Sequence, residues 1–380
     1  MNKKILNLSI PYLKSKELEY VKECIKSGWV SSAGPLINKF ESKISSITNS
    51  KYAVACMNGT SALHISLILA GVMKNHEVIV PTITFIAPIN TVRYCDANPI
   101  FMDCDSNYNI DINKTIEFLS NNTYQKKGKC INKKTKKIIS AIIIVHVWGN
   151  PANIKVLNKI CNIKNIKLIE DASESFGSHF NENKKHTGTV GFCGCLSFNG
   201  NKIITTGGGG TILTQNKKIA LKAKYLIEQA KNKSIWFQHD EIGYNYRMTN
   251  LQAALGIAQI ENFKKILYKR KKIFQTYKTL FSNNKNFKLF NHSKKSNHWM
   301  NLCIIEKGKK IKLLNLINLF RKELIEVRPI WKPNHLQKKF KKYETYKIKF
   351  ATYLFKKSIC LPSSTDLRYN DIKRVMKILN

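Results

Sequence analysis

Acidic residues are scarce in this chain: 24 Asp plus Glu stand against 64 Lys plus Arg, a formal charge of +40 over 380 residues. Such an excess marks a nucleic-acid binder where the cations gather on one face and are interleaved with aromatics. Here they are spread along nearly every segment beside abundant Asn and Ile, as A/T-biased coding produces at neutral surface positions, so no nucleic-acid partner is expected. The richest stretches, 126–137, 264–272 and 338–349, are predicted as one loop and two surface helices with solvated basic faces. Long apolar runs are also missing. The most apolar stretch, from Ala141 to Trp148, is strand-length and broken by His146, and the first ten residues hold no run of signal-peptide length. No membrane partner is expected, and the reading is a soluble, cytoplasmic protein. The ten cysteines show neither regular pairs nor a C-x-x-C tract, and Cys193 and Cys195 lie too close for a metal site. They read as reduced thiols with no metal.

Seven short apolar segments (52–56, 77–80, 100–103, 138–145, 166–170, 194–197 and 209–214) alternate with helical or loop segments. That is the βα alternation of an α/β protein with a mainly parallel central sheet. Helical periodicity follows over 217–230 and 250–281, and a smaller C-terminal α/β domain begins near Phe287. The expected division is a large domain, 1–255, and a small one, 256–380, with the N-terminal segment packing on the small domain. Residues 121–137 read as an exposed hairpin or loop.

Three places carry chemistry. Lys202 closes the run Ser197-Phe198-Asn199-Gly200-Asn201-Lys202 and is followed by four glycines, Gly207 to Gly210. An amine used as a nucleophile toward an aldehyde needs a fixed position, and a glycine run lets a cofactor approach closely. Asp171 ends an apolar strand, at the edge where open α/β sheets bind ligands. A carboxylate there can keep a pyridine nitrogen protonated; alone, an Asp after a strand is more often a helix N-cap, and Lys202 reverses that reading. In Asn58-Gly59-Thr60-Ser61, a strand turns through Gly59 into an apolar helix. Bare helix-start amides and two hydroxyls suit a phosphate monoester, and also suit an ordinary capped helix.

These stretches, with Gly28-Trp29-Val30-Ser31-Ser32, Pro81-Thr82-Ile83-Thr84-Phe85, His146-Val147-Trp148-Gly149-Asn150-Pro151, Glu170-Asp171-Ala172, Gly243-Tyr244-Asn245-Tyr246-Arg247 and Arg328-Pro329 through His335, occur in one order along the chain. Taken together, the chain resembles the DegT/DnrJ/EryC1/StrS sugar aminotransferases nearly end to end. The resemblance implies the pyridoxal-phosphate-dependent transferase fold type I. It implies Lys202 as the attachment point of pyridoxal 5′-phosphate and the mover of the proton, and Asp171 on the pyridine nitrogen. Gly59, Thr60, Ser61 and Ser197 would hold the phosphate, and Phe85 would lie against the ring. Asn245 would reach the phosphate of the neighbouring subunit, which makes the active site a property of a homodimer. His335 would approach the sugar from the small domain.

One position departs from the commoner family pattern. Glu174 stands where many relatives place Gln or His beside the phenolic oxygen, and a carboxylate there must share a proton. Glu174 resembles the branch that aminates nucleotide-linked 4-keto sugars on the way to bacillosamine and legionaminic acid. The expected activity is therefore transfer of an amino group, with glutamate as donor, to the C4 ketone of a nucleotide-linked 2-acetamido-6-deoxyhexose. A 3-keto-sugar aminotransferase and a non-catalytic relative are the alternatives. Intact Lys202 argues against the latter and against the family's dehydratase members, which replace the lysine. The lysine surplus would draw in an anionic sugar nucleotide.

Overall fold

The computed structural model describes residues 4–180, 185–232, 234–306 and 311–380. Of the first ten residues read for a signal peptide, 1–3 lie outside the described residues.

In chain order the strands are β1 (Tyr52–Cys56), β2 (Glu77–Pro81), β3 (Asn98–Met102), β4 (Thr123–Lys126), β5 (Lys129–Asn132), β6 (Ile139–Val145), β7 (Lys167–Asp171), β8 (Cys193–Ser197), β9 (Gly210–Thr214), β10 (Phe287–Leu289), β11 (Asn301–Ile305), β12 (Arg328–Pro329), β13 (Thr345–Tyr346) and β14 (Ser358–Leu361). Eight of them form one sheet in the order β1-β9-β8-β7-β6-β2-β3-β13, parallel except that β9 runs against both neighbours. Strands buried on both faces carry apolar side chains at every position. Along this sheet the chain sorts them by alternation: Val78, Val80, Ala141 and Ile143 enter one core, and Ile79, Ile142 and Ile144 the other. The seven strands expected from the sequence all form, each with ends shifted by two residues at most.

The helices are α1 (Glu17–Ser27), α2 (Pro35–Thr48), α3 (Gly59–Leu69), α4 (Ala87–Tyr94), α5 (Ile112–Asn121), α6 (Lys155–Ile163), α7 (Lys217–Ile227), α8 (Asn250–Glu261), α9 (Phe263–Phe281), α10 (Leu313–Lys322), α11 (Phe350–Lys357) and α12 (Tyr369–Leu379). No helix among the described residues is long and apolar enough to cross a membrane. A second sheet, β10-β11-β14-β12, is antiparallel and shares a core with α9, α10 and α12. The boundary expected near residue 255 falls inside α8; side chains of α9 then pass from the first core (Phe263, Ile266) to the second (Ile273, Phe274). Leu6 is buried in that second core and bridges Ile325.

Four local expectations are corrected. The helix expected over 250–281 is two helices, because Asn262 leaves helical geometry at φ −97°, ψ 4° between them. The helix expected over 217–230 stops at Ile227, since Gln229 and Ala230 take left-handed backbone at φ 64° and 53°. Residues 338–349 are no helix: Thr345 and Tyr346 pair with the open edge of β3, and tertiary pairing overrides the lysine-rich local pattern. Within 121–137, β4 and β5 form a hairpin around Lys127-Gly128, both with positive φ, but Cys130 and Asn132 of its second strand are buried rather than exposed.

Candidate active site

The carboxyl ends of β6, β7 and β8 meet the start of α3 along one sheet edge, the position at which α/β sheets bind ligands. That edge faces a cavity of about 650 Å³ whose other wall comes from Trp299, Arg328, Ile330 and Trp331.

Glu170 and Asp171 are neighbours on β7 and so point to opposite faces. Asp171 lines the cavity, buried, with Oδ1 accepting the Ser173 N–H at 3.0 Å. Burial pushes its carboxyl above the usual range, against the pull of Ser173 and the Lys202 charge. Glu170 turns away and accepts from His146 Nε2 at 3.0 Å and from the amides of Gly188, Val190 and Gly191 at 2.8, 2.7 and 2.6 Å. Burial opposes its ionisation, but these donors, His146 foremost, hold it below the usual carboxylate range. His146 Nδ1 accepts the Ala152 N–H at 3.0 Å, so its proton sits on Nε2. His146 is thus a satisfied core histidine.

Lys202 lies in the loop between β8 and β9, its N–H bonded to the Asn199 carbonyl at 3.0 Å. Its Nζ sits 3.8 Å from Glu174 Oε1 and 4.4 Å from the centroid of the Trp299 ring. The other oxygen of Glu174 accepts the Trp148 N–H at 2.8 Å. Burial pushes the Glu174 carboxyl up to about 7, although the Lys202 charge draws it down.

Asn58 caps α3 through Oδ1, which accepts both the N–H and the hydroxyl of Ser61 at 2.8 and 3.0 Å. Ser61 is therefore buried in the cap, whereas Gly59 and Thr60 line the cavity together with Ser197 at the end of β8. A Cβ on Gly59 would stand 2.7 Å from Ser197 Cβ, closer than side chains pack. The helix start is bare because nothing larger fits.

The remaining sequence candidates separate. Phe85 lines the cavity with an open face, 55% exposed. His335 does not line it: Nδ1 meets Thr82 Oγ1 at 2.7 Å, and the adjacent Asn334 amide donates to the Thr82 and Thr84 carbonyls. Burial draws the His335 imidazole below its ordinary pKa. Asn245 is exposed, bridges Glu228 and faces outside the cavity of its own chain.

Sequence reasoning missed the aromatic wall. Trp148 stacks on Trp331 at 4.0 Å between centroids and 12° between planes, and lies 6.0 Å from Trp299 at 20°. All three line the cavity. Trp148 is held at φ 57°, a left-handed conformation that is strained for a bulky residue, by the stack and the Glu174 hydrogen bond. A signal was present: Trp148 and Trp331 stand within two of the ordered motifs, His146 to Pro151 and the stretch that begins at Arg328-Pro329.

An amine, a buried carboxylate, an open aromatic face and a bare helix start around one cavity fit the aldehyde, pyridine nitrogen, ring and phosphate of pyridoxal 5′-phosphate. The description of the DegT/DnrJ/EryC1/StrS aminotransferase family matches residues 11–380. GDP-perosamine synthase of Escherichia coli O157:H7 is 35% identical over 377 residues, covering 97% of this chain and 96% of that protein. Helicobacter pylori PseC, an aminotransferase involved in the biosynthesis of pseudoaminic acid, superposes with a TM-score of 0.86 at 23% identity over 99% of each chain. The E. coli GDP-4-keto-6-deoxy-D-mannose-3-dehydratase with bound hydrated PLP does so with a TM-score of 0.85 at 22% identity, covering 99% of this chain and 100% of that one. The two structures share the fold, the sequence relative and the family match run nearly the whole length, and this chain therefore belongs to the DegT/DnrJ/EryC1/StrS aminotransferase family of pyridoxal-phosphate-dependent enzymes.

Proposed function

We propose that the protein is a homodimeric aminotransferase that moves an amino group from glutamate to the C4 ketone of a nucleotide-linked 4-keto-6-deoxyhexose carrying a 2-acetamido group. The observation that carries the reading is the position of Lys202 Nζ, beside Glu174 and over Trp299, in the same cavity as Asp171 and the Gly59–Thr60 helix start. Two GDP-perosamine synthases at 35% and 33% identity support a nucleotide-linked sugar.

Pyridoxal phosphate, when bound, supplies an aldehyde that takes the donor's amine and a ring that stores electrons as bonds to the reacting carbon change. The chain's own residues do the rest. Lys202 Nζ would hold the cofactor at rest and, once displaced, would carry the proton of the 1,3 shift, taking it from the carbon on one side of the transferred nitrogen and returning it to the carbon on the other. Asp171, raised by burial, would hold the proton on the pyridine nitrogen, because a carboxylate facing that nitrogen favours its charged form. Glu174, 3.8 Å from that amine, stands within ion-pair reach of it and keeps the Trp148 turn in place. Gly59, Thr60 and Ser197 hold the phosphate, with Ser61 setting the cap beneath them. Phe85 and the tryptophan wall exclude water from the reacting face.

Support for the dimer comes from Asn245, exposed and outside the cavity of its own chain, and from the adjoining segment, where Ile235, Trp236, Phe237 and Ile242 stand 69–82% exposed. Apolar side chains gathered this way on a surface favour a partner over water.

The test is turnover of the purified, cofactor-loaded protein with glutamate and a panel of keto sugar nucleotides. The 2-acetamido 4-keto sugar should exceed its 2-hydroxy and 3-keto analogues about a hundredfold in kcat/KM, because a pocket built for the acetamido group leaves donors unpaired without it. Equal rates would remove the acetamido and C4 assignments and leave the aminotransferase; no turnover of any keto sugar would remove the sugar assignment altogether.

A further inference from the structure

The stretch 264–272 reads in the sequence as a solvated basic face, yet one of its cations is inside. Arg270 of α9 is 2% exposed and has no carboxylate within ion-pair distance among the described residues. Burying an unpaired guanidinium is costly, and hydrogen bonds to neutral oxygens offset that cost only in part. Burial lowers its pKa to about 10, which leaves it charged at neutral pH.

Its bonds lead to one place. Nη1 donates to the Trp299 carbonyl at 2.9 Å and to the Ser363 carbonyl, and Nη2 reaches Ser9 Oγ at 3.4 Å. Trp299 in turn donates its indole N–H to the Asn201 carbonyl at 2.7 Å, and Ser9 Oγ meets the same carbonyl at 3.4 Å. That oxygen belongs to the peptide joining Asn201 to Lys202, whose N–H end bonds the Asn199 carbonyl at 3.0 Å. A peptide plane gripped at both ends fixes the direction in which the next side chain leaves it. The ring that makes this grip is also the ring 4.4 Å from Lys202 Nζ.

We propose that Arg270 is a positioning residue for Lys202: the buried guanidinium fixes Trp299, and Trp299 fixes the Asn201–Lys202 peptide, so that the amine is held between Glu174 and the indole. The proposal rests on Lys202 being the reacting amine. Arg270 also joins three segments distant in sequence, the N-terminal segment, the approach to β11 and the turn after β14. A purely structural tether would therefore lower stability without touching Lys202.

Trp299→Phe separates the two, since it keeps an aromatic ring beside the amine while deleting the N–H to Asn201. In the apo-protein, exchange of the Lys202 amide hydrogen should quicken about tenfold while the melting temperature stays near the parent's. In the loaded enzyme kcat should fall about tenfold or more with the KM for the keto sugar little changed, because a small misplacement of a reacting group is felt in the rate. The pH midpoint of the visible cofactor band should move as well. Arg270→Met should quicken that exchange and lower kcat more strongly, with a lower melting temperature because the tether is lost, and Arg270→Lys should restore part of the rate. Parent-like exchange, kcat and titration in Trp299→Phe would overturn the relay. So would an Arg270→Met protein whose activity per folded molecule equals the parent's. A Lys202→Ala protein that still turns over would overturn the reading beneath it instead, and the two failures are told apart by that one variant.

Discussion

Glu174 divides its carboxylate between two tasks: Oε1 lies 3.8 Å from Lys202 Nζ, and Oε2 accepts the Trp148 N–H at 2.8 Å. One buried side chain thus links the amine to the strained turn that carries the aromatic wall.

This arrangement predicts a pH effect with a definite sign. Burial raises the Glu174 carboxyl from 4.5 to about 7, so the folded protein binds the proton more tightly than the unfolded chain. Stability from this group is complete below about pH 4.5 and is lost as pH rises through 7. Glu174→Gln removes that loss, and thermal denaturation of the apo-protein at pH 8 should show a gain of up to about 3 kcal/mol, less what the Lys202 contact contributed. The same variant should lose any limb near pH 7 in the titration of the visible cofactor band; a titration identical to the parent's would take Glu174 away from the cofactor.

Lys202→Ala should lower turnover about a thousandfold or more while circular dichroism stays that of the parent. Borohydride reduction of the loaded parent should fix the cofactor on the peptide containing Lys202, as read by mass spectrometry. A label on another lysine would reassign the amine.

Gly59→Ala tests the bare helix start. The added Cβ would press on Ser197 at 2.7 Å, so α3 or β8 must move. We expect a loss of about 1–3 kcal/mol in stability and at least about tenfold weaker cofactor binding by absorbance titration. Phosphate binding elsewhere would leave that affinity untouched.

Mixing Lys202→Ala with Asn245→Asp subunits tests the shared site. If the partner's phosphate meets Asn245, mixed dimers hold one site free of both lesions, and equal mixing should restore about a quarter of parent activity. No recovery after verified subunit exchange would confine each site to one chain.

Seven of the eight strands of the large sheet were legible because each is a short run of β-formers set off by a helix or turn, as 138–145 and 166–170 illustrate. The cluster at its carboxyl edge was legible in Lys202, Asp171 and Gly59, whose motifs depend on order along the chain. What was hidden lay in long-range partners. Nothing near Thr345 announces that β3 leaves an edge for it, and Arg270 looks like its exposed lysine neighbours until the Trp299 carbonyl is seen to face it. Ser61 carries the right hydroxyl for a phosphate, but Asn58 claims it first. His335 bonds Thr82, a partner no local pattern names.

Two late pairings have a consequence for synthesis. Leu6 bridges Ile325, and the edge of β3 waits for Thr345 and Tyr346. While the chain emerges from a ribosome, the first residues made must therefore remain without their partner for on the order of half a minute, at ordinary elongation rates. Through the same interval β3 presents an unpaired edge to whatever strand comes near. A chain cut short before residue 345 would retain that sticky edge permanently, so nonsense fragments of this enzyme should aggregate or be degraded rather than persist as inactive subunits.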